Sequence, residues 1–76
     1  MDEELLKEQV QIERKLFSFA LKENPRGRFL KITEDVAGRR DTIIIPSTGL
    51  EPVRDLIERA IAADRAAGPR RSSPPA

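Results

Sequence analysis

Lys15-Leu16-Phe17-Ser18-Phe19-Ala20-Leu21-Lys22-Glu23-Asn24-Pro25-Arg26-Gly27-Arg28-Phe29-Leu30-Lys31-Ile32 places two short apolar-rich runs on either side of Asn24-Pro25-Arg26-Gly27. Asn at the first position of a four-residue turn, Pro at the second and Gly at the fourth match the preferences of a type I turn, so the two runs form a β-hairpin. With Asn24 facing Gly27, residue 23 opposes 28, 22 opposes 29, 21 opposes 30, 20 opposes 31, 19 opposes 32 and 18 opposes 33. One face then collects Phe19, Leu21, Leu30 and Ile32, with Glu23 and Arg28 paired by opposite charge at its end. The other collects Ser18, Ala20, Lys22, Phe29, Lys31 and Thr33. A three-residue loop would mix the two sets, so the pattern itself selects this register. Phe17 shares the parity of Phe19 and Leu21 and belongs with the apolar set.

Beyond the hairpin, Thr42-Ile43-Ile44-Ile45 is a β-branched run closed by Pro46, a further strand. Ile44 points opposite to Ile43 and Ile45, so both faces of that strand need cover. Leu50, Val53, Leu56, Ile57, Ala60 and Ile61 then recur at helical spacing, with Arg54, Glu58, Arg59 and Asp64 on other faces. The segment reads as an amphipathic helix, long enough to cover one face of a sheet. Thr48-Gly49-Leu50-Glu51 fits a capping box, Gly68-Pro69 supplies a stop, and Pro52 suits a first turn but not an interior. Gly68 to Ala76 is Pro-, Arg- and Ser-rich with almost nothing to bury, and is expected to be a flexible tail. At the other end Asp2 to Val10 has helical propensity, whereas Gln9-Val10-Gln11-Ile12-Glu13 alternates as a strand does; local pattern does not separate the two.

Composition removes several chemistries. The 76 residues contain no Cys, His, Trp or Tyr, which leaves no imidazole base, thiol nucleophile, thiolate zinc site or disulfide framework. An enzyme is not expected, and neither a cofactor, a metal nor a small-molecule substrate is implied. Glu34, Asp35 and Asp41 lack the spacing of a calcium loop, and Ser47 and Thr48 have no base to activate them. No apolar run reaches the ~18–20 residues needed to span a bilayer, and the acidic start is the wrong sign for a signal peptide, so a soluble intracellular protein without membrane association is expected. Below roughly 70–80 residues a single core supplies only ~3–5 kcal/mol without a staple; with disulfides absent, the staple expected is a second subunit.

The net charge of +1 conceals an asymmetry. Residues 14–40 hold eight basic groups against three acids, an excess of five, while the rest of the chain sums to −4. A basic centre in an otherwise acidic chain suits a localised polyanion contact. On the polar hairpin face Phe29 lies among Lys22, Lys31 and the amide of Asn24, with Arg26 and Arg28 at the turn. Bases of a single strand stack on such a ring at about 1–3 kcal/mol each while cations follow the backbone. The competing reading makes Phe29 a core residue of a sheet covered on both faces, its lysines reaching past it to water.

The quoted stretch resembles the PUR repeat of the Pur-alpha family, whose signature is Lys-x-Asn, two residues, then Gly-Arg-Phe-Leu-Lys/Arg. Here that is Lys22-Glu23-Asn24 followed by Gly27-Arg28-Phe29-Leu30-Lys31. The resemblance extends over Glu8 to Ile61. It implies an α+β fold, with a four-stranded antiparallel sheet followed by one C-terminal helix (Whirly/PC4-like), and two copies intertwined as a homodimer. It also implies that Glu8 to Glu13 is the first strand, against the helical propensity. The chain then divides into an N-terminal extension (1–7), the repeat (8–67) and the tail (68–76). Purine-rich single-stranded DNA or RNA is the implied partner, contacted by Lys15, Lys22, Asn24 and Lys31 with Arg28 and Phe29 beside them. The segment entering the second strand is often Gln-Ser-Lys in the family; Glu13-Arg14-Lys15 keeps only the lysine. A lone repeat resembles the bacterial form, for which the bacterial cytoplasm or nucleoid is the expected location. The alternative function is a homodimeric protein-interaction or assembly module whose basic sheet face is only solvated.

Overall fold

The computed structural model describes residues 2–70; residues 71–76 of the expected tail lie outside the described residues. Four strands, β1 (Glu3–Ile12), β2 (Lys15–Asn24), β3 (Gly27–Val36) and β4 (Arg39–Pro46), form one antiparallel sheet in the order β1-β2-β3-β4. A single 3₁₀ turn, Ser47–Gly49, leads into helix α1 (Leu50–Ala66). The order of elements is that of a PUR repeat.

The β2–β3 hairpin adopts the register deduced from the turn, including Asn24↔Gly27, Lys22↔Phe29, Leu21↔Leu30 and Phe19↔Ile32. The Asn24 side chain closes the turn: its Oδ1 accepts the backbone N–H of Arg26 at 2.9 Å and of Gly27 at 3.2 Å. Gly27 has φ +149°, a conformation L side chains rarely adopt, although open space surrounds its Cα. Backbone conformation, not crowding, selects glycine there.

β1 begins at Glu3, five residues ahead of the Glu8 start expected, so most of residues 1–7 belongs to the sheet. Pairing with β2 outweighs the helical propensity of this stretch. Leu6, Val10 and Ile12 face the same side as Leu21, Phe17 and Phe19 and extend their apolar surface. A bulge between Glu4 and Leu6 leaves Leu5 without a partner on β2. The β3–β4 turn is Ala37-Gly38, both with positive φ (53° and 84°), stabilised by Asp35 Oδ1 accepting the Gly38 N–H at 3.0 Å.

The Thr48 capping box does not form. Gly49 is the N-cap, no side chain caps the helix, and the Leu50 N–H bonds the Ser47 carbonyl instead. The reason is that the 3₁₀ turn runs straight into α1, so Thr48 already has a turn conformation and cannot act as an extended cap residue. Pro52 sits in the first turn, where its missing N–H costs nothing. The helix ends near the expected stop, and Arg70, within the expected tail, donates from Nη2 to Asp64 Oδ2 at 2.6 Å.

Helix α1 covers neither face of its own sheet. It contacts the rest of the chain chiefly through the 3₁₀ turn, and the chain measures 46 × 30 × 15 Å, the thickness of little more than one layer. Among the described residues no side chain is fully buried. Ile43 on the sheet and Leu56 on the helix are 58% and 59% exposed, so two apolar surfaces from one chain stand without partners.

The turn geometry sets the first expected outcome. Asn24→Ala removes the two acceptor contacts of the turn and lowers stability by about 1–2 kcal/mol, while Asn24→Asp, which keeps the acceptor, retains most of it. Urea unfolding of the three proteins checks the ranking.

Candidate functional site

The register divides the sheet into cross-strand rows, and alternate rows face the same side. On the polar side the rows read Glu4–Lys22–Phe29–Pro46, Lys7–Ala20–Lys31–Ile44, Gln9–Ser18–Thr33–Thr42 and Gln11–Leu16–Asp35–Arg40. On the other side they read Leu6–Leu21–Leu30–Ile45, Glu8–Phe19–Ile32–Ile43 and Val10–Phe17–Glu34–Asp41. Alternation along every strand thus produces one polar and one apolar face from a single sheet.

The polar side is an open groove of about 300 Å³. Its floor is low because β2 contributes Ser18 and Ala20 at the centre, and the flanking strands raise Lys7 and Lys31 on either side. Lys22 stands at the hairpin end and Arg40 at the opposite end. Among the described residues, Lys7, Lys22 and Lys31 form no ion pair, whereas Arg40 Nε is held by Asp35 Oδ2 at 3.2 Å. Three ammonium groups therefore keep their charge for a ligand. In the central row the Thr33 and Thr42 hydroxyls lie 3.3 Å apart, beside Ser18 and Gln9, so an uncharged hydrogen-bonding strip crosses the groove between the cationic rows. Phe29 is half-buried at the hairpin end of the groove, between Lys22 and Pro46 in its row.

The six residues singled out in the sequence do not all meet. Lys22, Phe29 and Lys31 share the polar face. Asn24 has the same parity, but its carbonyl oxygen is consumed by the turn and its Nδ2 donates to Asp2 Oδ1 at 3.1 Å. Lys15 and Arg28 belong to the apolar face. Lys15 Nζ pairs with Glu34 Oε2 at 3.0 Å, and Arg28 Nε donates to Glu23 Oε1 at 2.7 Å. Lys7, Gln9 and Arg40 were not singled out from the sequence. Lys7 lies ahead of the Glu8 start expected for the first strand, the face of Gln9 depended on the β1–β2 register, and that of Arg40 on the register set by Ala37-Gly38.

The acidic residues near the second turn act within the fold: Asp35 ties Gly38 and Arg40, and Glu34 pairs with Lys15. No group of three or more potential metal ligands occurs among the described residues. No helix of the described residues is long and apolar enough to cross a membrane.

Residues 2–69 match the PurA family, described as PurA ssDNA and RNA-binding protein. The chain is also similar to Transcription factor Pur-alpha 1 of Arabidopsis thaliana, with 54% identity over 55 residues. That alignment covers 72% of this chain and 19% of the plant protein, so the chain spans about a fifth of the relative's length. The matched family is a nucleic-acid-binding one.

The separation of faces sets an expected outcome for titration with a labelled single-stranded oligonucleotide. Lys22→Ala and Lys31→Ala each reduce the magnitude of the slope of log K against log salt by about 0.7, and Lys15→Ala leaves the slope unchanged. Fluorescence anisotropy at a series of salt concentrations measures all three.

Proposed function

Because the chain belongs to the PurA family of single-stranded DNA- and RNA-binding proteins, we propose that two copies intertwine as a homodimer that binds purine-rich single strands along its polar sheet faces. The observation that carries the reading is the set of unpaired lysines, Lys7, Lys22 and Lys31, gathered on one open face beside Phe29. Lysines without carboxylate partners attract phosphates at little desolvation cost, and each neutralised phosphate releases counterions. The ring of Phe29 offers a stacking surface to any base, and purines present the larger π-face. An extended strand lying in the groove has cations on both sides and hydrogen-bonding groups beneath it. Nucleic acid in a regular duplex has its base faces stacked and closed to Phe29, so single strands are preferred.

The uncovered apolar surfaces support the homodimer. A four-stranded sheet and a 17-residue amphipathic helix that do not cover each other lack the core needed for a stable single chain. A second copy laid across the first supplies both missing partners by one symmetry operation: each helix stripe of Val53, Leu56, Ile57 and Ile61 covers apolar sheet surface of the other chain. In that arrangement the Phe17-Phe19-Leu21 surface becomes the shared core, and the groove stays outside. The Whirly/PC4-like arrangement of paired sheets is the architecture this assembly implies. Cooperation of two grooves on one dimer raises avidity for longer strands.

Two measurements test the reading. Sedimentation should give twice the 8.6 kDa of the chain, with an unfolding midpoint that rises with protein concentration; a folded monomer at micromolar concentration contradicts the homodimer. Titration should rank purine-rich above pyrimidine-rich single strands and both above duplex. Phe29→Ala should cost about 1–3 kcal/mol of binding with little change in salt slope, since no charge is lost. The protein-interaction alternative is favoured instead if Phe29→Ala unfolds the dimer and no oligonucleotide binds.

A further inference from the structure

The bulge in β1 decides which side chain stands opposite Lys22. Without the extra residue, strict alternation from Leu6 would place Leu5 on the polar face across from Lys22 and turn Glu4 to the apolar face. With Leu5 taken up by the bulge, Glu4 pairs with Lys22 and lines the groove. A bulge that re-aims one side chain is a recurrent device beside binding sites. Here it exchanges a leucine for a carboxylate in a groove whose other charges suit a polyanion.

An exposed carboxylate facing a phosphate backbone is repulsive, so Glu4 weakens binding unless its partner is something other than phosphate. It is not consumed within the fold: among the described residues Glu4 makes no ion pair or side-chain hydrogen bond, although Lys22 is its cross-strand neighbour. An ionised carboxylate is acceptor-only, with two oxygens that take two parallel donors. Among the unpaired bases of a single strand, guanine presents two adjacent donors on one edge, N1–H and the N2 amino group. Adenine and cytosine present a single amino donor beside acceptors, and the acceptors repel the carboxylate.

Position supports the same partner. Glu4, Lys22 and Phe29 lie in one row, and β1 to β3 is two strand spacings, about 10 Å. A purine stacked on Phe29 with its Watson–Crick edge toward β1 spans part of that distance, and the glutamate side chain reaches back over the rest. Lys22 stands between them in the row, free to meet the neighbouring phosphate.

We propose that Glu4 is a specificity-determining residue that reads guanine, accepting N1–H and N2–H from a base stacked at Phe29. This rests on the single-strand binding proposed above and names the base selected there. The test compares a guanine-containing purine-rich oligonucleotide with the same strand carrying inosine, which lacks the N2 amino group, and with adenine in place of guanine. The wild-type protein should bind in the order guanine, inosine, adenine, with roughly tenfold between the first and the last. Glu4→Gln should collapse that order. Glu3→Gln, which changes the net charge equally but pairs opposite Glu23 on the other face, should preserve it, and circular dichroism confirms that both variants remain folded. A uniform rise in affinity for all three strands in Glu4→Gln, with the order intact, would assign Glu4 a repulsive role only and overturn the inference. Wild-type binding without discrimination between guanine and inosine also overturns it, while leaving the single-strand reading standing. Absence of any binding overturns both.

Discussion

The two-residue turn at Pro25-Arg26, held by the Asn24 side chain, fixes more of this molecule than any packed core does. Because side chains alternate with period two, the pairing of Asn24 with Gly27 determines which residues of β2 and β3 share a face. β1 and β4 then join the edges in the only parity that continues the apolar surface, Leu6 and Val10 on one edge, Ile43 and Ile45 on the other. A slip of one residue would send Lys22, Phe29 and Lys31 to the apolar side and bring Phe19 and Leu21 into the groove. Register is therefore the shared origin of the core surface and of the candidate site. With no fully buried side chain among the described residues, such local specification matters more than usual.

The same alternation explains why the chain leaves two apolar surfaces uncovered. A sheet with one apolar face demands one covering layer, and α1 has a stripe suited to the task, yet the 3₁₀ turn after Pro46 carries the helix away from the sheet. Covering by its own helix would need a reversal of direction within the few residues between Pro46 and Leu50. Gly49 lies close to Ile45, where an added Cβ would sit 3.4 Å from its Cγ2, in ordinary van der Waals contact. A short connection thus separates two apolar surfaces, and the proposed homodimer would cover both at once.

The hairpin, its register and the existence of β4 and α1 were legible because each rests on a local signal: turn chemistry, alternation, β-branching, helical spacing. β1 was legible only through the family resemblance, and then only from Glu8, since Glu, Leu, Lys and Gln favour a helix and pairing with β2 reverses that preference. Its bulge was illegible for the same reason, as nothing in Glu3-Glu4-Leu5-Leu6 distinguishes it before β2 is known. Without the β1–β2 register the groove's lining stayed hidden, and with it Lys7 and Gln9. Lys15 and Arg28 are a different matter. Both share odd or paired positions with the apolar set, Lys15 with Phe17 and Phe19, Arg28 with Glu23, so parity alone places them away from Lys22 and Lys31. The Thr48 cap was misread because the residues fit two structures, an extended cap and a 3₁₀ turn, that a four-residue pattern does not separate.

Electrostatics completes the physical picture, because a net charge of +1 is not what a polyanion experiences at this surface. Arg28, Arg40 and Lys15 are each satisfied by a carboxylate of the fold, Glu23, Asp35 and Glu34. Such exposed pairs contribute little to stability, with typical values of about 0.2–1 kcal/mol. Their larger effect is on the field: they offset the charge of Lys15, Arg28 and Arg40, while Lys7, Lys22 and Lys31 keep theirs in the groove. Beyond about 10 Å at 0.1 M salt that field is screened, so it organises a strand already at the surface rather than recruiting one from afar. In the proposed reading such a groove would owe its affinity to contact, with phosphates at Lys7, Lys22 and Lys31 and a base at Phe29, and little of it to the charge of the chain as a whole.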